Sequence, residues 1–159
     1  MYCMKPQIKN RDCTGSTLPT APLRILMVIT SLVQGGGAES QVVRLSIELK
    51  SRGFNVIVVS LVPPVARLDE LRQAEIRVHS LQMKPGVPDF RAVLALRNII
   101  RGFRPDVVHC HMFHANLLGR VTRLFCDIPV LICTAHSVRE NSRRGGPSWH
   151  PTAVDGVNV

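Results

Sequence analysis

The stretch that decides the fold is "RILMVITSLVQGGGAESQVVRLSIELKSRG", residues 24–53. It opens as an apolar run, breaks at Gly35, Gly36 and Gly37, and resumes with Ala38, Val42, Leu45 and Leu49 on one helical face. Gly53 stands where such a helix should stop. A buried strand that leads through a glycine loop into an amphipathic helix is the opening of a βαβ unit.

The rest of the chain repeats that rhythm. "NVIVVSL", "IRVHSL", "DVVHC" and "PVLICT" are further short runs rich in Val, Ile and Leu. Near-continuous apolar strands of this kind suit a parallel sheet covered on both faces. A second helix should enter at Asp89 as N-cap, with Phe90, Val93, Leu94 and Ile100 inward and Gly102 near its end. A third should run from about Ala115 to Phe125 with Leu117, Leu118, Val121, Leu124 and Phe125 as its stripe, and a shorter one lies at 67–74. The expected fold class is therefore α/β, a Rossmann-like doubly wound parallel sheet with helices on both faces. No internal repeat is present.

The chain of 159 residues is long enough for one domain, and its 45% hydrophobic content is that of a globular protein. Residues 1–22 are polar and aperiodic and are expected to form a flexible extension; 23–139 form the domain. Residues 140–159 carry the only tryptophan among Gly and Pro breakers and are expected to be a disordered or aberrant tail. No run approaches the about 20 apolar residues of a membrane-spanning helix, and the first residues lack an apolar signal core. A cytoplasmic location is expected. Five cysteines, three of them inside apolar runs, do not suggest a disulfide scaffold.

The net charge of +9 comes mostly from arginine. Arg97, Arg101 and Arg104 fall on one helical face, as a solvated face or as a contact for anionic lipid headgroups at the inner face of a membrane. Few aromatics and no nucleic-acid-binding module argue against nucleic acid.

Ligands of open α/β sheets bind beyond the strand C-termini, so the loops after Thr30, Leu61, Cys110 and Thr134 carry the candidates. Gly35, Gly36 and Gly37 let the backbone approach a ligand at a helix N-terminus that favours anions. No Gly-Lys-Ser/Thr follows, which excludes a P-loop. Ser40 replaces the third glycine of the dinucleotide fingerprint, and the second strand ends without the acidic residue that would hold a ribose. His109 and His111 project from one side of their strand with Cys110 opposite, which disfavours a zinc site and favours the polar rim of a cleft. His136, beyond the last strand, can donate to a substrate or move a proton.

The order "GGGAE" opening a helix, "RPDVVHCH" before another, then "VLICTAHS" resembles the N-terminal domain of family 4 glycosyltransferases of the GT-B fold, over about Arg24 to Arg139. The resemblance implies a retaining transferase that moves a sugar from a nucleotide-sugar to an acceptor, a lipid-linked or other glycan, with no metal and no cofactor. By that resemblance His136 contacts the reacting sugar as the catalytic residue. Gly35, Gly36, Gly37 and His111 bind substrate or phosphate, and Glu39 supports the helix start. The family's second domain, with its Arg/Lys and glutamate pairs, is not matched after Arg139, so this chain alone is expected to be inactive. Two alternatives stand beside this one: a non-catalytic α/β module binding a phosphorylated ligand or anionic surface, and a variant NAD(P)-dependent reductase.

Overall fold

The computed structural model describes residues 21–33, 35–84 and 89–136. The two expected terminal segments lie outside these residues, apart from positions 21 and 22, and so do Arg139, Cys3 and Cys13. Five strands alternate with four helices: β1 (Arg24–Ile29), α1 (Gly37–Ser51), β2 (Asn55–Ser60), α2 (Leu68–Gln73), β3 (Arg77–Ser80), α3 (Phe90–Phe103), β4 (Val107–His111), α4 (Phe113–Thr122) and β5 (Val130–Thr134). Each strand falls within a residue or so of its apolar run.

All pairings are parallel and the order is β3-β2-β1-β4-β5. The chain moves one way from β1 to β3, then crosses back and moves the other way through β4 and β5. Right-handed crossovers therefore place α1 and α2 on one face and α3 and α4 on the opposite one. Two cores result. Ile25, Met27, Ile29, Val56 and Val58 pack with Val42, Val43 and Leu71, while Leu26, Val28, Ile57, Val108 and Cys110 pack with Val93, Leu96, Ile100 and Leu118. The alternation of the pleat sends successive residues of β1 into different cores.

Local chemistry sets the helix ends. Gly53 closes α1 at φ +87°, a left-handed conformation that glycine adopts without steric penalty. Asp89 caps α3, its carboxylate accepting from the Arg91 N–H at 2.8 Å. In α4, a Cβ on Gly119 would lie 2.5 Å from Cys110 Sγ. Only glycine lets this helix approach β4 so closely.

The face of α3 differs from expectation. Phe90 is 61% exposed and Leu94 is exposed too; the inward residues are Ala92, Val93, Leu96 and Ile100. Steps of four, three and four residues put Phe90 and Leu94 in line with Arg97 and Arg101, so all four share the outer face. The third helix likewise starts earlier and ends sooner than expected, at Phe113 and Thr122. Leu118 is buried and Val121 packs beside the core, but Leu117, Leu124 and Phe125 are exposed. Leu124 and Phe125 lie past the end of α4, where the helical period no longer governs direction. Phe125 instead meets Phe90 edge to face, ring centres 6.0 Å apart.

On β5, the side that faces away from α4 carries Val130 and Ile132, both exposed. No described helix is long and apolar enough to cross a membrane.

Candidate functional site

The order of the strands creates a switch point between β1 and β4, where consecutive connections leave toward opposite faces. Crevices at such points are where open α/β sheets bind ligands. Ile29, the last residue of β1, pairs with His111, the last of β4, and His111 pairs in turn with Thr134 at the end of β5. The glycine loop after β1, the histidines at the end of β4 and His136 after β5 thus share one sheet edge.

Period-two alternation places His109 and His111 on one side of β4, their rings 4.0 Å apart and tilted by 37°. His109 Nε2 is 2.8 Å from Thr134 Oγ1, and His111 Nδ1 is 2.9 Å from His136 Nε2. The His111 and His136 rings stack at 5.2 Å between centres. Thr134 is fixed through its carbonyl, which accepts from the Met112 N–H at 3.1 Å and from Asn116 Nδ2 at 3.0 Å. Three rings and a threonine form one continuous column from β4 to the loop after β5.

Between strand and helix the backbone turns sharply at Met112, φ 74° and ψ 161°, a region that non-glycine residues rarely enter. Such a conformation costs roughly 1–3 kcal/mol, and it is held in place by surrounding contacts. The Met112 N–H bond to Thr134 and the packing of its side chain under the α1 core supply two of them.

His111 is 1% exposed, and its Nε2 is buried with no hydrogen-bond partner among the described residues. Burial, with His109 and His136 adding to it, lowers its pKa to about 3, so the ring is neutral near pH 7. Burial lowers His109 as well, with a contribution from His136. Cys110 points to the opposite core, where burial pushes its thiol up to about 12. It is an inert packing residue, not a ligand or nucleophile. Among the described residues no group of three or more His, Cys, Asp or Glu is placed to hold a metal ion. His114 packs against Phe113, away from the column.

The glycine loop holds a residue whose importance the sequence understated. Glu39 is buried, accepts from Ser31 Oγ at 3.3 Å, and folds back over the start of its own helix. A Cβ on Gly36 would sit 1.8 Å from Glu39 Oε2. A side chain at Gly36 would therefore displace the protein's own carboxylate, which meets the positive end of the α1 dipole. Gly35, at φ +84°, and Gly37 have open space where a Cβ would be. Arg67 was not singled out by sequence at all. From a left-handed backbone, φ 63°, it holds Glu70 with two bonds of 2.9 Å and also donates to the Ser40 hydroxyl. That arginine joins the start of α2 to the first turn of α1, and the Glu70 bond raises its pKa. A motif search had no means of finding it, because the contact spans 27 residues.

The depressed pKa of His111 has a signed consequence. Between about pH 6.5 and about 3 the unfolded ring binds a proton that the folded ring refuses, so stability falls as pH falls through that window. The ring carbons of His111, followed by NMR, should show no inflection near 6.5. Denaturant unfolding should show a steeper loss of stability below pH 6.5 in the wild type than in His111→Asn. An ordinary titration near 6.5 would contradict the neutral, buried ring.

Residues 36–157 match the model of the "Glycosyl transferase 4-like domain" family, a span that takes in the residues after Arg139. Among solved structures, a glycosyltransferase from Rickettsia africae ESF-5 aligns at 19% identity and a TM-score of 0.54, covering 70% of this chain and 29% of that one. Sucrose-phosphate synthase from Thermosynechococcus elongatus aligns at 16% identity and a TM-score of 0.56, covering 77% of this chain and 35% of that one. At these identities the likeness is one of fold, and the chain spans about a third of the length of either structure. No curated protein matches the sequence. The family match covers well over half of the chain, and with it the Rossmann-like sheet reads as one half of a GT-B architecture: this chain belongs to the glycosyl transferase 4-like family.

Proposed function

We propose that this domain forms the acceptor-side wall of a retaining glycosyltransferase cleft, whose facing wall, in a second domain, carries the nucleotide of the sugar donor. The observation that carries the reading is the His111–His136 pair at the switch point, at the edge shared with the glycine loop. His136 is the residue assigned to the reacting sugar. It sits half-buried beyond β5, held from behind by a neutral ring, so its polar atoms are available to a sugar oxygen without competition from a nearby cation. Hydrogen bonds poised at an oxygen that gains charge stabilise the transition state more than the ground state, which is where their catalytic value lies.

The glycine loop is assigned to the acceptor in preference to the donor diphosphate. A phosphate approaching the α1 N-terminus would meet the Glu39 carboxylate already there, and the two negative charges would repel. A neutral sugar hydroxyl can instead bond the loop's backbone at Gly35 and Gly37, where no side chain stands in the way. Diphosphate stabilisation then falls to the second domain. The same missing acidic residue and third glycine that weigh against nicotinamide binding in the sequence are compatible with this division of labour.

The outer face of α3 supports a membrane-borne acceptor and a cytoplasmic enzyme that works at the inner leaflet. Phe90, Leu94, Leu124 and Phe125 are exposed, and Arg101 lies further along the helix; Arg104, expected on the same helical face, instead stands past the helix end as its left-handed C-cap, φ 51°, and Arg97 donates to the Phe125 carbonyl at 3.1 Å. Apolar side chains beside cations suit the boundary between acyl chains and anionic headgroups.

Two experiments test these assignments. The chain, combined with the second domain of a family transferase and offered UDP-, GDP- and ADP-activated hexoses with glycan acceptors, should restore transfer. His136→Ala should lower the rate by about 10²-fold or more, the scale of a lost transition-state donor; transfer unchanged in that variant would remove His136 from the site. In vesicle sedimentation the chain should bind membranes containing phosphatidylglycerol and release them at high salt, with binding lost in Arg101→Glu/Arg104→Glu. Equal binding to neutral vesicles would contradict the electrostatic contact.

A further inference from the structure

The column His109–His111–His136 carries more information than proximity. A neutral histidine has one N–H and one bare nitrogen, and which is which follows from the bond made by the other nitrogen. His111 Nδ1 faces His136 Nε2 at 2.9 Å, so one of the two donates. Two arrangements satisfy that contact. If His136 Nε2–H donates, His111 must carry its own proton on Nε2, the atom that is fully buried and has no partner among the described residues. If His111 Nδ1–H donates, the buried Nε2 is a bare lone pair. Both leave an unpaired atom, but an unpaired buried N–H is the rarer and more costly of the two in folded proteins.

We propose that His111 is a positioning residue: it donates Nδ1–H to His136 Nε2 and so fixes the His136 ring in the tautomer that carries its proton on Nδ1. The His136 Nδ1 makes no hydrogen bond among the described residues, so it is the nitrogen left for a ligand. In this state His136 offers an N–H to an oxygen atom and cannot serve as a base through that nitrogen. The neutrality of His111 is consistent with the arrangement, since a protonated ring would carry an N–H at the orphaned Nε2 as well.

The neighbours keep His111 in register. His109 lies against its ring at 4.0 Å and is itself tied to Thr134 Oγ1, while Asn116 holds the Thr134 carbonyl. Rotation of the His111 ring about χ2 would have to displace His109 and break this chain of contacts. The geometry stands by itself; the role of the free N–H as a donor to the reacting sugar rests on the transferase reading above.

Long-range 1H–15N correlation spectra of the 159-residue chain, labelled at histidine and recorded above pH 7.5, read the tautomers directly. His136 should be protonated on Nδ1 and bare on Nε2, and His111 should show the same pattern. A His136 protonated on Nε2 in the wild type would overturn the proposal without need of any variant. In His111→Leu, where nothing donates, His136 should revert to the Nε2–H form that neutral histidine favours in water. His111→Asn, whose amide can donate from a similar position, should retain the Nδ1–H form. Persistence of Nδ1–H in the leucine variant would also count against it. Because the readout is the protonation of a ring, loss of the transferase reading in the reconstitution assay would leave this result standing, and the reverse holds too.

Discussion

The site depends on the position of β1 at the centre of the sheet, paired with β2 on one edge and β4 on the other. Its residues are almost entirely buried, and alternate ones feed the two cores. Because every strand is parallel, all C-terminal ends emerge at one edge. Because the order reverses at β1, the connections after β1 and β4 part there and leave a crevice. The glycine loop and His111 belong to that crevice through the pairing of Ile29 with His111 and need no direct bond to each other.

Around this frame the polar groups are arranged so that the protein satisfies some of its own charges and leaves others open. Glu39 occupies the helix end that the glycines expose, and Arg67 braces the same turn through Ser40. These interactions tie the α1 start to the protein's own side chains. The histidine column does the opposite. Its buried member, His111, is neutral, lies tilted against His109 and stacks on His136, and its last member presents a nitrogen that nothing in the described chain uses. A strained backbone at Met112, where β4 hands over to α4, marks the same spot. Stability has been spent locally where a ligand is expected to bind.

How far the sequence could be read follows from the range of the forces involved. The strands were legible because a buried parallel strand must be apolar over nearly every residue, and the stop at Gly53 and cap at Asp89 are local chemistry. The outer face of α3 is hidden from hydrophobicity because Phe90 and Leu94 are apolar yet lie in line with Arg97 and Arg101, and angular position decides which side is buried. The shared side of His109 and His111 is a consequence of the pleat and could be derived. The approach of His136 to His111, 25 residues apart, depends on strand order, which no local pattern encodes. Arg67 escaped for a related reason, since a long-range arginine has no signature in spacing; Glu39 was legible as a helix-start residue, but its burial was not. Family membership was legible because three weak motifs stood in the right order.

The central claim is that this domain receives its ligand at the edge shared by β1, β4 and β5. Backbone and histidine chemical shifts of the 15N-labelled chain, followed during titration with glycan acceptors, test it most directly. The account predicts saturable shifts concentrated at Gly35, Gly37, His111, Thr134 and His136. Shifts centred instead on the opposite edge, at Arg24, Arg101 and Asp106, would contradict it.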